Sequence, residues 1–166
     1  MLTRSSVRLS GQPETGSPGA NRGNSEMQLA FPVSIKGVVV QHGTVLLLHN
    51  ERDEWELPGG KLGLGETPEG CLAREVTEEV GWHVQVGPIL DAWLYHIRAE
   101  RDVLIVTYGC STDATGPPGL SDEHSASHLF GESEIVGLNM PEGYKRSIWE
   151  WFSLLRGDVG SSPAAV

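Results

Sequence analysis

The sequence predicts an α/β domain, a sheet covered on both faces by helices, and three observations predict it. Two aliphatic runs, Val38-Val39-Val40 and Val45-Leu46-Leu47-Leu48, flank Gln41-His42-Gly43-Thr44 and read as a hairpin of buried strands. Thr67 followed by Pro68 is an N-cap with proline at the first helical position, and Gly81 supplies the stop, so a helix spans about Pro68 to Val80. Near the end, Tyr144, Ile148, Trp151, Phe152 and Leu155 fall on one face of a second helix. Strands before, between and after two helices give a layered sheet.

The remaining elements follow in order. A short strand around Trp55-Glu56-Leu57 runs into Pro58-Gly59-Gly60. After the first helix come strand-like runs at Val84–Val86, Trp93–Ile97 and Val103–Tyr108, with a turn from Arg98 to Arg101 between the last two. Gly116-Pro117-Pro118-Gly119 makes a loop, and another short strand ends near Leu129-Phe130. No fixed-period repeat is present, which excludes solenoids and propellers.

At 166 residues the chain suits a single domain. Structure is expected to begin near Phe31, within a domain drawn at 27–157. Residues 10–26 are mostly Gly, Pro, Ser, Asn and Thr and cannot bury enough surface to offset their ordering entropy, so 1–26 reads as a disordered tail and 158–166 as a frayed one. With 12 Lys and Arg against 22 Asp and Glu, the net charge is −10. That excess of anions disfavours a nucleic acid polymer or an anionic membrane surface as partner. Two cysteines make no disulfide scaffold, and the start, with Arg4 and Arg8, lacks the apolar core of a secretory signal. The expectation is a soluble cytoplasmic protein, with a homodimer left open.

The chemistry lies between Gly60 and Trp82. On the expected helix, Glu75, Glu78 and Glu79 sit at i, i+3 and i+4 and share one arc, while Leu72, Ala73, Val76 and Val80 occupy another. Like charges at that spacing repel, so three anions on one face point to a hard divalent cation taking oxygen ligands. Mg²⁺ suits such a face because it shares its shell with substrate phosphates. Gly59, Gly60, Gly63 and Gly65 let the main chain turn tightly against the helix. Glu66 stands just before the helix, where the dipole favours a carboxylate, and Arg74 can fork onto a neighbouring acid.

This segment resembles the signature of the Nudix hydrolases: Gly, five residues, Glu, seven residues, Arg-Glu, an aliphatic, any residue, Glu-Glu, any residue, Gly, an aliphatic. Gly60, Glu66, Arg74, Glu75, Glu78, Glu79 and Gly81 fill every fixed position. At roughly 7% per residue, chance gives that about once in 10⁸ starting positions. Val76 meets the first aliphatic position, and Trp82 departs from the second. Trp55-Glu56-Leu57-Pro58-Gly59-Gly60-Lys61 is similar to the family's lead-in, and Glu123-His124 and Pro141-Glu142-Gly143-Tyr144 are similar to its ends, so the likeness covers Phe31 to about Arg156. It implies a Nudix fold, an α/β/α sandwich around a mixed sheet with a loop-helix-loop motif. It also implies hydrolysis of a nucleoside diphosphate linked to another moiety, with Mg²⁺ or Mn²⁺. By position, Glu75, Glu78 and Glu79 would ligate the metal, with the Gly60 carbonyl a further ligand. Arg74 would hold Glu75, Glu66 would assist, and Lys61 would face phosphate oxygens.

Outside the motif, Glu123 matches the family's extra acidic position by its spacing from Leu129, as second-metal ligand or base. Leu129 replaces the usual Trp, which leaves Asp122 as a neighbouring alternative. Trp93, Tyr95 and Ile97 alternate with Leu94, His96 and Arg98: one set is core, and the other lines a cleft or faces solvent. His96 and Arg98 are candidates for phosphate or base contact in the first case and exposed residues in the second. Cys71 reads as a small packed residue, His42 as a turn residue, and Trp149 and Trp151 as packing residues. Two function classes stand: a diphosphate hydrolase acting on a small nucleotide, and a non-catalytic Nudix-fold module that binds one.

Overall fold

β1 (Val33–Gln41) and β2 (Thr44–His49) form the hairpin, joined by His42 at φ 47° and Gly43 at φ 79°. Positive φ at both central residues is the twist that a two-residue hairpin turn requires. The computed structural model describes residues 31–98 and 101–158; the expected tails therefore lie outside the described residues, apart from Asp158. β3 (Trp55–Glu56), α1 (Pro68–Val80), β4 (Gln85–Arg98), β5 (Arg101–Ser111), β6 (Ala126–Gly131) and α2 (Glu142–Arg156) complete the order.

The sheet is mixed. β1 runs parallel to β5, from Val33 opposite Leu104 to Val40 opposite Ser111, and β5 runs antiparallel to β4 at the edge. β2 pairs with β6 along its whole length, but with β1 only at Val40↔Val45 and Gln41↔Thr44. β1 and β2 diverge beyond that point. The gap takes the Pro58–Leu62 segment, which bonds along β1: Gly37 N–H to Pro58 O at 2.9 Å, Ile35 N–H to Gly60 O at 2.8 Å and Leu62 N–H to Val33 O at 3.0 Å. This splayed hairpin delivers the glycine-rich segment to α1.

Alternation along the strands divides the core into two layers. Leu46 and Leu48 pack with Leu72, Val76 and Val80 of α1, whereas Val45 and Leu47 pack with Tyr144, Ile148 and Phe152 of α2. Each such side chain contributes about 1.5–3 kcal/mol of burial. α1 has the expected bounds, with Thr67 Oγ1 accepting the Gly70 N–H and Gly81 in the left-handed conformation. Trp82, the departure from the motif, is buried in the α1 layer. Among the described residues, no helix is long and apolar enough to cross a membrane.

Two expectations need correction, and one element adds to them. The runs at Val84–Val86 and Trp93–Ile97 belong to one strand, β4; register shifts near Gly87-Pro88 absorb the break, which an edge strand tolerates. On α2 the apolar face ends at Phe152: Leu155 and Trp149 are exposed, while Trp151 is held by its indole N–H on Cys110 O at 3.2 Å. A 3₁₀ turn at Glu132–Gly137, unforeseen from the sequence, buries Ile135.

α2 approaches β4 through Gly143, where an added Cβ would sit 2.1 Å from the Trp93 ring. Trp93 is also braced edge-on by Tyr95 and Tyr144. Gly143→Ala is therefore expected to lower stability by about 1–3 kcal/mol, the usual cost of overpacking, measured by urea unfolding; an unchanged midpoint would show that Trp93 yields freely.

Candidate active site

A cleft of about 500 Å³ opens where α1, the Gly59–Lys61 segment and the sheet meet. Its motif wall carries Gly59, Gly60, Lys61, Glu75, Glu78 and Glu79. β4, β5 and α2 add Tyr95, Ile97, Val103, Ile105 and Tyr144 to the lining. Glu123 and His124 reach it from the loop before β6.

Two close approaches explain the glycine pair. Gly59, at φ 122°, would place a Cβ 2.2 Å from Ile35 O, and a Cβ on Gly60 would lie 2.4 Å from the Glu75 carboxyl carbon. No other residue allows β1, the segment and α1 to meet this closely. The Gly59 N–H then donates to Glu79 Oε2 at 2.8 Å, and the Lys36 ammonium donates to Gly59 O at 2.6 Å.

The three helix carboxylates occupy different environments. Glu78 is open, its side chain 58% exposed, and meets Arg74 Nη1 at 3.0 Å; Glu75 meets the same nitrogen at 3.0 Å. Glu79 is only 6% exposed. Burial pushes its carboxyl up to about 7, with Glu75 adding to the rise, against the pull of Lys36, the Gly59 N–H and His124. Arg74 is the hub, holding Glu66 through Nε at 2.7 Å and Nη2 at 3.2 Å. Those bonds, with the Gly63 N–H, bring the Glu66 carboxyl down to about 2. Glu66 therefore acts on the loop and on Arg74, behind the cleft wall. Cys71 is fully buried, with Sγ 3.4 Å from Lys61 O, as a packed residue should be.

Among the described residues, no three Asp, Glu, His or Cys side chains already stand at ligating spacing. The donor set nevertheless suits a hard dication: carboxylate oxygens and the Gly60 backbone share one wall, and the thiol nearby is turned into the core. Arg74, between Glu75 and Glu78, keeps their charge compensated meanwhile.

Outside the motif the outcome is mixed. Glu123 lines the cleft, and Asp122 is not among its lining residues. Alternation along β4 turns Tyr95 and Ile97 inward and His96 outward, 74% exposed and bonded to Asp102 at 2.6 Å. His96 is thus not brought to the cleft, and the Arg98 side chain lies outside the described residues.

A buried charge cluster went unread in the sequence. Lys36 Nζ lies 3.9 Å from Glu56 Oε1, and His124 Nε2 lies 3.2 Å from the same oxygen. A lysine inside the apolar run Ile35–Val40 was the available signal. Burial works most strongly against ionised Glu56, but Lys36, His124 and Asn50 together outweigh it and bring the carboxyl to about 2.

With this geometry established, comparison places the chain among known proteins. A model of the NUDIX domain matches residues 31–153. The chain belongs to the Nudix family. A MutT-like protein of Streptomyces ambofaciens is 40% identical over 105 residues, covering 62% of this chain and 66% of that protein. An RNA pyrophosphohydrolase of Acinetobacter baylyi is 28% identical over 108 residues, covering 60% of this chain and 58% of that protein. The aligned part thus spans 58–66% of the length of these two relatives. A NUDIX-family hydrolase from Clostridium perfringens superposes with a TM-score of 0.67 at 18% identity, over 76% of this chain and 99% of that one, which shows the shared fold.

Glu56 gives a pH prediction. A carboxyl lowered in the folded state adds stability above its ordinary pKa of about 4.5, and that contribution disappears as pH falls towards 2. Glu56→Gln should cost on the order of 2–3 kcal/mol near pH 7, and the gap to the parent should narrow below about pH 4.5. Urea unfolding at several pH values measures it; a gap that widens in acid would contradict the assignment.

Proposed function

We propose that the protein hydrolyses the diphosphate linkage of a nucleoside diphosphate joined to another moiety, with Mg²⁺ or Mn²⁺ as cofactor. A nucleoside triphosphate, a nucleotide sugar or a dinucleotide all meet that description. The observation that carries the reading is the cleft that Gly60, Glu75, Glu78 and Glu79 line together, with Tyr95 and Ile97 in the same lining. A regulatory binder has no need of every carboxylate in that set.

Glu75, Glu78 and Glu79, with the Gly60 carbonyl, would hold the cation. When bound, it offsets charge building on phosphate oxygens and lowers the pKa of coordinated water. Lys61, exposed on the same wall, would bind a phosphate oxygen as a point charge. Arg74 fixes Glu75 and Glu78, and Glu66 fixes Arg74. Glu123, which lines the same cleft, would accept the proton of the attacking water or ligate a second cation. Tyr95 and Ile97, half-buried at the cleft, give a nucleoside an aromatic and aliphatic surface to lie against.

Formation of nucleoside monophosphate from a mixed nucleotide panel, with and without Mg²⁺, tests the reading. Tight nucleotide binding without turnover would instead make the protein a binding module. Glu78→Gln and Glu79→Gln should each lose most turnover and keep the fold. Glu79→Gln retains an acceptor for the Gly59 N–H while removing a carboxylate that burial already disfavours, so its melting temperature should hold or rise. Full turnover by either variant at saturating substrate would reject the assignment.

Glu123→Gln should lower kcat by roughly 10²-fold or more, the low end of a general-base contribution, with little change in stability. An unchanged kcat alongside a large loss in Asp122→Asn would shift the role by one residue. Unchanged rates in both would leave α1 as the source of catalytic carboxylates.

A further inference from the structure

His124 differs from its neighbours in the Thr112–Ser125 loop. Its side chain is 6% exposed, whereas Asp122, Glu123 and Ser125 are exposed. Its ring closes a loop of polar contacts inside the molecule. From Lys36 Nζ the contacts run to Gly59 O at 2.6 Å, and from the Gly59 N–H to Glu79 Oε2 at 2.8 Å. Glu79 Oε1 lies 3.8 Å from His124 Nε2, which lies 3.2 Å from Glu56 Oε1, and that oxygen is 3.9 Å from Lys36 Nζ again. β1, β3, the glycine segment, α1 and the distal loop are thereby tied together.

Within this ring, His124 is the member contributed by the loop. The loop is also anchored by Thr112 Oγ1 on His83 O at 2.8 Å, by the Gln41 side-chain amide on Ala114 O, by Gly119 N–H on Val80 O at 2.9 Å, and by Ser125, whose N–H donates to His49 O at 2.9 Å and whose Oγ meets the His49 ring at 2.8 Å. Between them, Ser121 Oγ and His124 Nδ1 are 3.5 Å apart. An ionised carboxylate only accepts, so the contact with Glu56 places the imidazole proton on Nε2, the nitrogen that also faces Glu79. The backbone of His124 is continuous with Glu123, the acidic residue that enters the cleft from this loop.

We infer that His124 is a positioning residue, a latch whose Nε2 on Glu56 holds the Thr112–Ser125 loop against β3, beside Glu79 of α1, and so sets the place of Glu123 at the cleft. The inference rests on the hydrolase reading for its effect on turnover, but the latch itself is a property of the free protein. Loss of the Nε2 contact frees the segment between Gly119 and Ser125, so that Glu123 no longer has a fixed place relative to Glu79. It also leaves the Glu56 carboxylate with one fewer buried donor.

Two substitutions separate the latch from simple packing. Gln can carry an amide nitrogen to about the reach of imidazole Nε2, and Asn only to about the reach of Nδ1. His124→Gln should keep amide exchange over residues 119–125, Mn²⁺ affinity without nucleotide, and kcat all within about threefold of the parent. His124→Asn should speed that exchange and weaken Mn²⁺ binding by roughly tenfold each, and lower kcat by tenfold or more with KM little changed. Equal behaviour of the two variants in exchange and Mn²⁺ binding would overturn the latch. If the parent turns over no nucleotide of the panel, the hydrolase reading fails alone, and the exchange and Mn²⁺ measurements still decide the latch.

Discussion

The peptide unit around Gly59 is the constraint on which the cleft depends. Its N–H is spent on Glu79 and its carbonyl on Lys36, while φ 122° threads the chain past Ile35 O. The next residue, Gly60, is bonded along β1 and packed flat against the Glu75 carboxylate. A side chain at Gly59 would push the segment off β1, and one at Gly60 would displace the Glu75 carboxylate. The carboxylates of the helix are therefore positioned by strand hydrogen bonds as much as by the helix itself, because the segment they touch is part of the sheet's bonding pattern.

The electrostatics follow from that placement. Close packing takes Glu79 out of water, and its partners do not fully offset the desolvation, so its carboxyl sits near 7. Glu56 is held on the other side of the balance by the same Lys36 and His124, near 2. Two buried acids a short distance apart are thus driven in opposite directions by how completely each is paired. Glu78 and Glu66 share Arg74 in the open, where solvent screening keeps the ion pairs modest. A dication on this wall would add the positive charge that Glu79 lacks, which is why the site suits metal chemistry better than it suits an isolated acidic helix.

Much of this was legible in the sequence, and the boundary has a physical cause. α1 and its three-carboxylate face depend on a local cap, a local stop and helical spacing, and all were read at the correct residues. The hairpin turn and the alternating β2 core were local too. The pairing of Pro58–Leu62 with β1 is long-range, between a strand and a segment with no strand periodicity of its own, and nothing nearby announces it. Alternation along β4 separated Tyr95 and Ile97 from His96 and Arg98, but a period of two cannot say which set faces a cleft. The inward path of His124 is set by a loop rich in Gly and Pro, where neighbours in sequence do not determine neighbours in space.

If the carboxylate wall supports attack of water on phosphorus, the oxygen added in turnover comes from solvent and ends on a phosphate. Hydrolysis of a nucleoside diphosphate derivative in ¹⁸O-labelled water with Mg²⁺, followed by ³¹P NMR, tests it directly. The account predicts a single labelled oxygen on one phosphate-containing product per turnover, absent without the cation. Label found in a sugar or other non-phosphate product, or nucleotide bound tightly with no label incorporated anywhere, would contradict it.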